Sequence, residues 1–116
     1  MFSGCKALDT LNVSQWNVGN VQEMNATFSG CSALASLDVS KWKFSSEATI
    51  TMEEMFYGCS SLTVLDIADW NVDKVENMNT MFRGCAALTS LNISSWNVSN
   101  VSKMGYMFCY CSKLSE

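Results

Sequence analysis

The chain has 116 residues, enough for one domain, and seven Lys+Arg against eleven Asp+Glu give a net charge of −4. That balance lacks the clustered basic residues of a nucleic-acid footprint. Histidine and proline are absent, which excludes Ser-His-Asp and Cys-His catalysis, His-ligated metals, and collagen-like or proline-rich structure.

The remaining composition, 48% hydrophobic, supports a buried core rather than a disordered chain. No apolar stretch approaches the eighteen or more residues of a membrane helix, so no direct membrane insertion is expected. Met1-Phe2-Ser3-Gly4-Cys5-Lys6 has neither the basic start nor the apolar centre of a signal peptide. The composition favours a binding or structural protein over an enzyme.

From its first residues the chain is one motif rewritten. Met1-Phe2-Ser3-Gly4-Cys5 returns as Thr27-Phe28-Ser29-Gly30-Cys31, Met55-Phe56-Tyr57-Gly58-Cys59 and Met81-Phe82-Arg83-Gly84-Cys85, and ends in the degenerate Met107-Phe108-Cys109-Tyr110-Cys111. The Phe-to-Phe intervals are 26, 28, 26 and 26, and Trp16, Trp42, Trp70 and Trp96 keep the same step. All nine leucines fall in two columns, and all eight methionines in two others. Such columns are what stacked units need, since one unit cannot close a core alone.

Within each unit the period changes. Leu8 to Val13, Leu34 to Val39, Leu62 to Ile67 and Leu88 to Ile93 end in alternation and a β-branched residue, which predicts a short strand. After a loop through Trp16 and Val18, the residues Val21, Met24, Phe28 and Cys31 form a helix-spaced stripe. Gly30, with Gly4, Gly58 and Gly84, follows where a helix end wants positive φ. Asn20/Glu23, Thr51/Glu54 and Asp73/Glu76 are candidate capping boxes. The two extra residues of the second interval lie within 43–51, and are expected to bulge from the loop or helix side without disturbing the sheet.

Strand, loop and short helix repeated in one direction predict an α/β repeat. The expected form is a right-handed β-α solenoid with a parallel sheet on one face and short helices on the other. Residues 1–116 are read as a single array of about four 26–28-residue repeats. The expectation is a fragment of a longer array, because terminal units without polar caps expose apolar strips; as a whole protein it would dimerise end to end or aggregate.

Leu-x-x-Leu-x-Val is a leucine-rich-repeat strand signature. The fuller text, Met-Phe-x-Gly-Cys-Ser-x-Leu-x-x-Leu-Asp-Val-Ser-x-Trp-Asn-Val-x-x-Val-x-x-Met, resembles the BspA-like leucine-rich repeats over essentially the whole chain. It is most similar to the 26-residue variant of bacterial surface proteins. The resemblance implies extracellular, cell-surface display and adhesion to protein or glycan on host or neighbouring cells, with no catalytic residues and no cofactor. Thr27 in place of Met, and Cys109 and Tyr110 in the last copy, depart from the pattern.

Cys5, Cys31, Cys59 and Cys85 stand a full repeat apart, unlike paired zinc ligands, and read as a ladder of buried thiols. Cys109 breaks that column and is expected to be the most reactive thiol. Phe2-Ser3-Gly4-Cys5 mimics a lipobox, but Phe28-Ser29-Gly30-Cys31 shows it to be repeat text. The sequons at Asn12, Asn25, Asn92, Asn97 and Asn100 read as repeated turn residues. The Trp and Met columns read as core rather than as platforms for bases or sugars.

Asp38 and Asp66 fall in one outward column. Stacking would set them about 5 Å apart, near the spacing of a retaining glycosidase pair. They lack supporting groups, since Arg83 is the single arginine, and an open face excludes little water. The preferred reading is therefore a non-catalytic recognition module without metal or cofactor. Its ligand-binding face is the outward strand positions Thr10, Asn12, Ser14, Ser36, Asp38, Ser40, Val64, Asp66, Ala68, Ser90, Asn92 and Ser94. A ligand-free structural spacer, a polysaccharide-acting enzyme and an intracellular scaffold are the alternatives.

Overall fold

The computed structural model describes residues 4–7, 9, 11–19, 21–44 and 48–114. The expectations placed on Met1, Phe2, Ser3, Leu8, Thr10 and Asn20 lie outside the described residues. The body measures 34 × 28 × 21 Å. Its regular structure is a two-stranded parallel sheet of β1 (Ile50–Thr51) and β2 (Val75–Asn77). Single parallel bridges extend the pairing from Glu23 to Thr51 and from Asn77 to Lys103.

This arrangement corrects the expected β-α solenoid in two respects. Among the described residues there is no helix. The strand pairs lie in the segments predicted to be helical, not in the Leu-x-x-Leu-x-Val segments. Between those leucine segments the backbone bonds are long, Thr63 N–H to the Ala35 carbonyl and Thr89 N–H to the Thr63 carbonyl, both 3.4 Å.

The backbone hydrogen bonds give the physical reason. Met24, Ala26, Phe28 and Gly30 donate their N–H groups to the carbonyls of Thr51, Glu53, Met55 and Tyr57 in the next copy. The alternate residues Thr27, Ser29 and Cys31 instead donate three residues back, to Met24, Ala26 and Phe28. A helix would spend every one of these donors within its own segment. Here half are spent between copies, and the segment becomes consecutive tight turns. Every fourth residue takes a left-handed conformation: Ala26, Glu54, Thr80 and Tyr106 have φ of 52–58° and Gly30, Gly58 and Gly84 have φ of 72–81°. A right-handed helix cannot contain these angles.

The capping boxes fall with the helices: Thr51 lies in β1, Glu76 in β2, and Glu54 at positive φ. The glycines do have the positive φ expected of them. Their column also demands close approach, since a Cβ on Gly30 would lie 3.3 Å from the Gly4 Cα.

The columns form the core. Phe28, Phe56, Phe82 and Phe108 stack at 5.6–5.7 Å, and Trp16, Trp42, Trp70 and Trp96 at 6.1–6.5 Å. The indole N–H groups of Trp42, Trp70 and Trp96 donate to the carbonyls of Val13, Val39 and Ile67 in the preceding copy, each at 2.9 Å. These bonds satisfy the one polar atom of each buried indole. Around the extra residues, Phe44 is buried edge-on against Trp70, with ring centroids 4.9 Å apart. Phe44 stands two residues after Trp42, where Val18, Val72 and Val98 follow their own tryptophans, so a repeat position carries an aromatic ring there; residues 45–47, next to the insertion, lie outside the described part.

Candidate functional site

The outward positions are brought together. Asn12, Ser36, Asp38, Val64, Asp66, Ser90, Asn92 and Ser94 are exposed, and Ser14, Ser40 and Ala68 are half-buried. They alternate with the buried Val13, Leu37, Val39, Leu65, Ile67 and Leu91. This in-and-out alternation matches the sequence pattern although no strand forms there. Thr10 lies outside the described residues.

Part of this face is concave. An open depression of about 600 Å³ is lined by Asn12, Ser14, Ser36, Asp38, Ser40, Val64 and Asp66, with Leu11 and Leu37 among them. The two leucines contribute to this lining although alternation assigns them inward. Val64, 59% exposed, contributes an apolar patch among the hydroxyls and carboxylates. Ala68, Ser90, Asn92 and Ser94 are not part of the depression's lining.

One local device shapes every tier of the face. The Asp38 carboxylate accepts from the Ser40 N–H at 3.1 Å and the Ser40 hydroxyl at 2.7 Å. Asn12 does the same with Ser14, and Asn92 with Ser94. Asp66 accepts from the Ala68 N–H at 3.4 Å, and no hydroxyl stands there. Short polar side chains favour such turns because they bond to backbone two residues on.

The Ser40 hydrogen bonds, hydroxyl first and then amide, hold the Asp38 carboxyl below the usual carboxylate range, with Lys41 adding a smaller pull. A carboxyl kept ionised accepts hydrogen bonds and attracts cations; it does not donate a proton. The sequon asparagines also hold the backbone: Asn25 accepts from the Glu53 N–H, Asn97 from the Ser99 N–H, and Asn100 donates to the Asp73 carbonyl.

Cys5, Cys31, Cys59, Cys85 and Cys111 form a column of thiols that are not joined in disulfides. Cys59, Cys85 and Cys111 donate their S–H groups to the carbonyls of Phe28, Phe56 and Phe82 in the preceding copies. Burial, and secondarily the neighbouring Cys31, pushes the Cys59 thiol up to about 12. Burial raises the Cys85 thiol further. Such thiols stay protonated and unreactive at neutral pH. Cys109 lies outside the column and is half-buried. Among the described residues, no group of three or more His, Cys, Asp or Glu side chains is arranged to hold a metal ion.

Sequence reasoning missed one cluster. The Arg83 guanidinium lies over the rings of Tyr106 and Tyr110, 5.7 and 5.3 Å from their centroids. Its only signal was the departure of the last copy from the repeat text.

No curated protein and no solved structure matches the chain. The family described as "Mycoplasma protein of unknown function, DUF285" matches residues 1–63 and again residues 43–116. Together the two matches take in every column described above, and the chain belongs to this family.

Proposed function

We propose that this chain is a non-catalytic recognition module of the BspA-like kind, displayed at a cell surface. In this reading the concave face around Asp38 and Asp66 binds a protein or glycan partner. The observation that carries it is the depression lined by Asn12, Asp38, Asp66, three serines and Val64. It offers hydrogen-bond acceptors, hydroxyls and a small apolar patch in one place, the mixture expected of a polar recognition surface. Each contact is weak and solvent-exposed, so useful affinity comes from repetition of the face rather than from one anchor.

The polar groups are set by their own turns and are ordered before any partner arrives, which limits the entropy lost on binding. The test is a binding screen of the folded chain against host matrix proteins and a glycan array, repeated with the double variant Asp38→Lys/Asp66→Lys. Saturable binding weakened about tenfold by the double variant supports the reading; that factor corresponds to about 1.4 kcal/mol. Unchanged affinity removes the concave face from the interaction. Absence of saturable binding across the whole panel leaves the spacer reading in its place.

A further inference from the structure

The copies serve as one another's controls on the outward face. Three of them read hydroxyl, then Asn or Asp, then Ser: Thr10-x-Asn12-x-Ser14, Ser36-x-Asp38-x-Ser40 and Ser90-x-Asn92-x-Ser94. The third in chain order reads Val64-x-Asp66-x-Ala68. It gives up both hydroxyls at the depression, whose lining includes Val64 and Asp66. Val64 is 59% exposed, so it adds little to the core. Ala68 forgoes the hydroxyl bond that Ser14, Ser40 and Ser94 make. Together the two changes bare a carboxylate beside an apolar surface. The hydrogen bonds around it set what the depression can accept. The Ser14 and Ser40 hydroxyl protons are spent on Asn12 and Asp38 within their own turns. Both Ser40 bonds fall on Oδ1 of Asp38, and Asp66 receives one long amide bond on its Oδ1; among the described residues, no donor reaches Oδ2 of either carboxylate. The lining holds no lysine or arginine, and Lys41, exposed beside Ser40, stands outside it. The depression is rich in acceptors and poor in donors.

We infer, resting on the reading of this face as the recognition site, that the depression takes a cationic side chain, an arginine or a lysine, from a protein partner. A guanidinium or ammonium group donates hydrogen bonds and accepts none, so it complements the depression in charge and in hydrogen bonding at once. Its aliphatic stem has Val64, Leu37 and Leu11 to lie against. The head meets Asp66, whose carboxylate no hydroxyl covers, with Asp38 of the preceding copy lining the same depression. A neutral glycan fits less well. Each of its hydroxyls brings an acceptor along with its donor, and the lining has no aromatic ring for a sugar face to stack on.

The experiment is an NMR titration of the full chain at low salt with three capped tripeptides: Gly-Arg-Gly, Gly-Lys-Gly, and the citrulline analogue of the first, which keeps its shape and loses its charge. The expected result is saturable shifts of the amides of residues 36–40 and 64–68 with a cationic peptide, the tighter of the two identifying the side chain. The citrulline peptide should bind about fivefold more weakly. Asp66→Asn should weaken the cationic peptide by about the same factor, and Val64→Ser about twofold. Asp73→Asn makes the same change of charge at an exposed position outside the depression and should leave binding unchanged. Equal losses in the two Asn variants would reduce the effect to net charge, and equal binding of the citrulline peptide would remove the cation; either overturns the inference. So does the absence of saturable binding by both cationic peptides. In that case a neutral glycan whose binding is weakened by Asp38→Lys/Asp66→Lys leaves the recognition face standing without a cationic partner, whereas no binding of any kind removes both.

Discussion

Replacing Trp70 by Phe tests the stacked core directly. Trp70 is 3% exposed and lies between Trp42 and Trp96, at centroid distances of 6.1 and 6.4 Å. Its N–H donates to the Val39 carbonyl at 2.9 Å. That carbonyl also accepts the Trp42 amide, so it is not orphaned by the change. The lost hydrogen bond is worth about 1 kcal/mol net. The space left by the smaller ring and the weakened stacking on both sides add about 1–2 kcal/mol. The expected loss is therefore about 2–3 kcal/mol. The same substitution at Trp16, which is 38% exposed and stacks on Trp42 at 6.5 Å, should cost under about 1 kcal/mol. Urea unfolding followed by far-UV circular dichroism measures both without relying on tryptophan fluorescence. Equal losses at the two positions would refute burial in a stack as the source of stability.

The remaining predictions concern the thiol column and the glycine column. Cys59 has its thiol raised from an ordinary value near 9 to about 12 by burial. Its contribution is fully present below pH 9 and is lost as pH rises toward 12, because only the unfolded chain ionises in that window. That window amounts to at most about 4 kcal/mol. Alkaline unfolding should be less steep in Cys59→Ala than in the parent chain, and identical slopes would contradict the assignment. Maleimide applied to the native protein at neutral pH should modify half-buried Cys109 before Cys59, as mass spectrometry of the peptides would read; equal rates would sink the buried ladder. Gly84→Ala places a Cβ 3.4 Å from the Gly58 Cα at φ +81°, and should lower stability by about 1–2 kcal/mol. A neutral thermal shift would show that the column does not need glycine.

The repeat, its columns and the inward or outward sense of most of them were legible in the residues themselves, with Trp16 and Leu11 less buried than the alternation predicts. Phe28, Phe56 and Phe82 are buried, as are Trp42, Trp70 and Trp96, while Asp38 and Asp66 face solvent. Side-chain partition depends on residue chemistry and period, and both are written in the chain. The candidate face was legible for the same reason, because it is the polar half of a period-two alternation. The turn at Asp38 was not, since its bonds from the Ser40 amide and hydroxyl are set by the backbone geometry, and at Asp66 the Ala68 amide makes the bond without a hydroxyl.

What only the tertiary structure decided is where the backbone donors go. Apolar residues three and four apart suit a helix and a run of tight turns equally well. The choice rests on whether a carbonyl of another copy, twenty-five or twenty-seven residues onward, captures every second N–H. The left-handed positions show the same divide. Gly30, Gly58 and Gly84 announce theirs by residue type, whereas Ala26, Glu54 and Thr80 share no chemistry and adopt it where their amides bond to the neighbouring copy. Phe44 enters the core and Arg83 crosses two tyrosines for a related reason. Each meets partners about a full repeat away, and nothing in the local sequence records that contact.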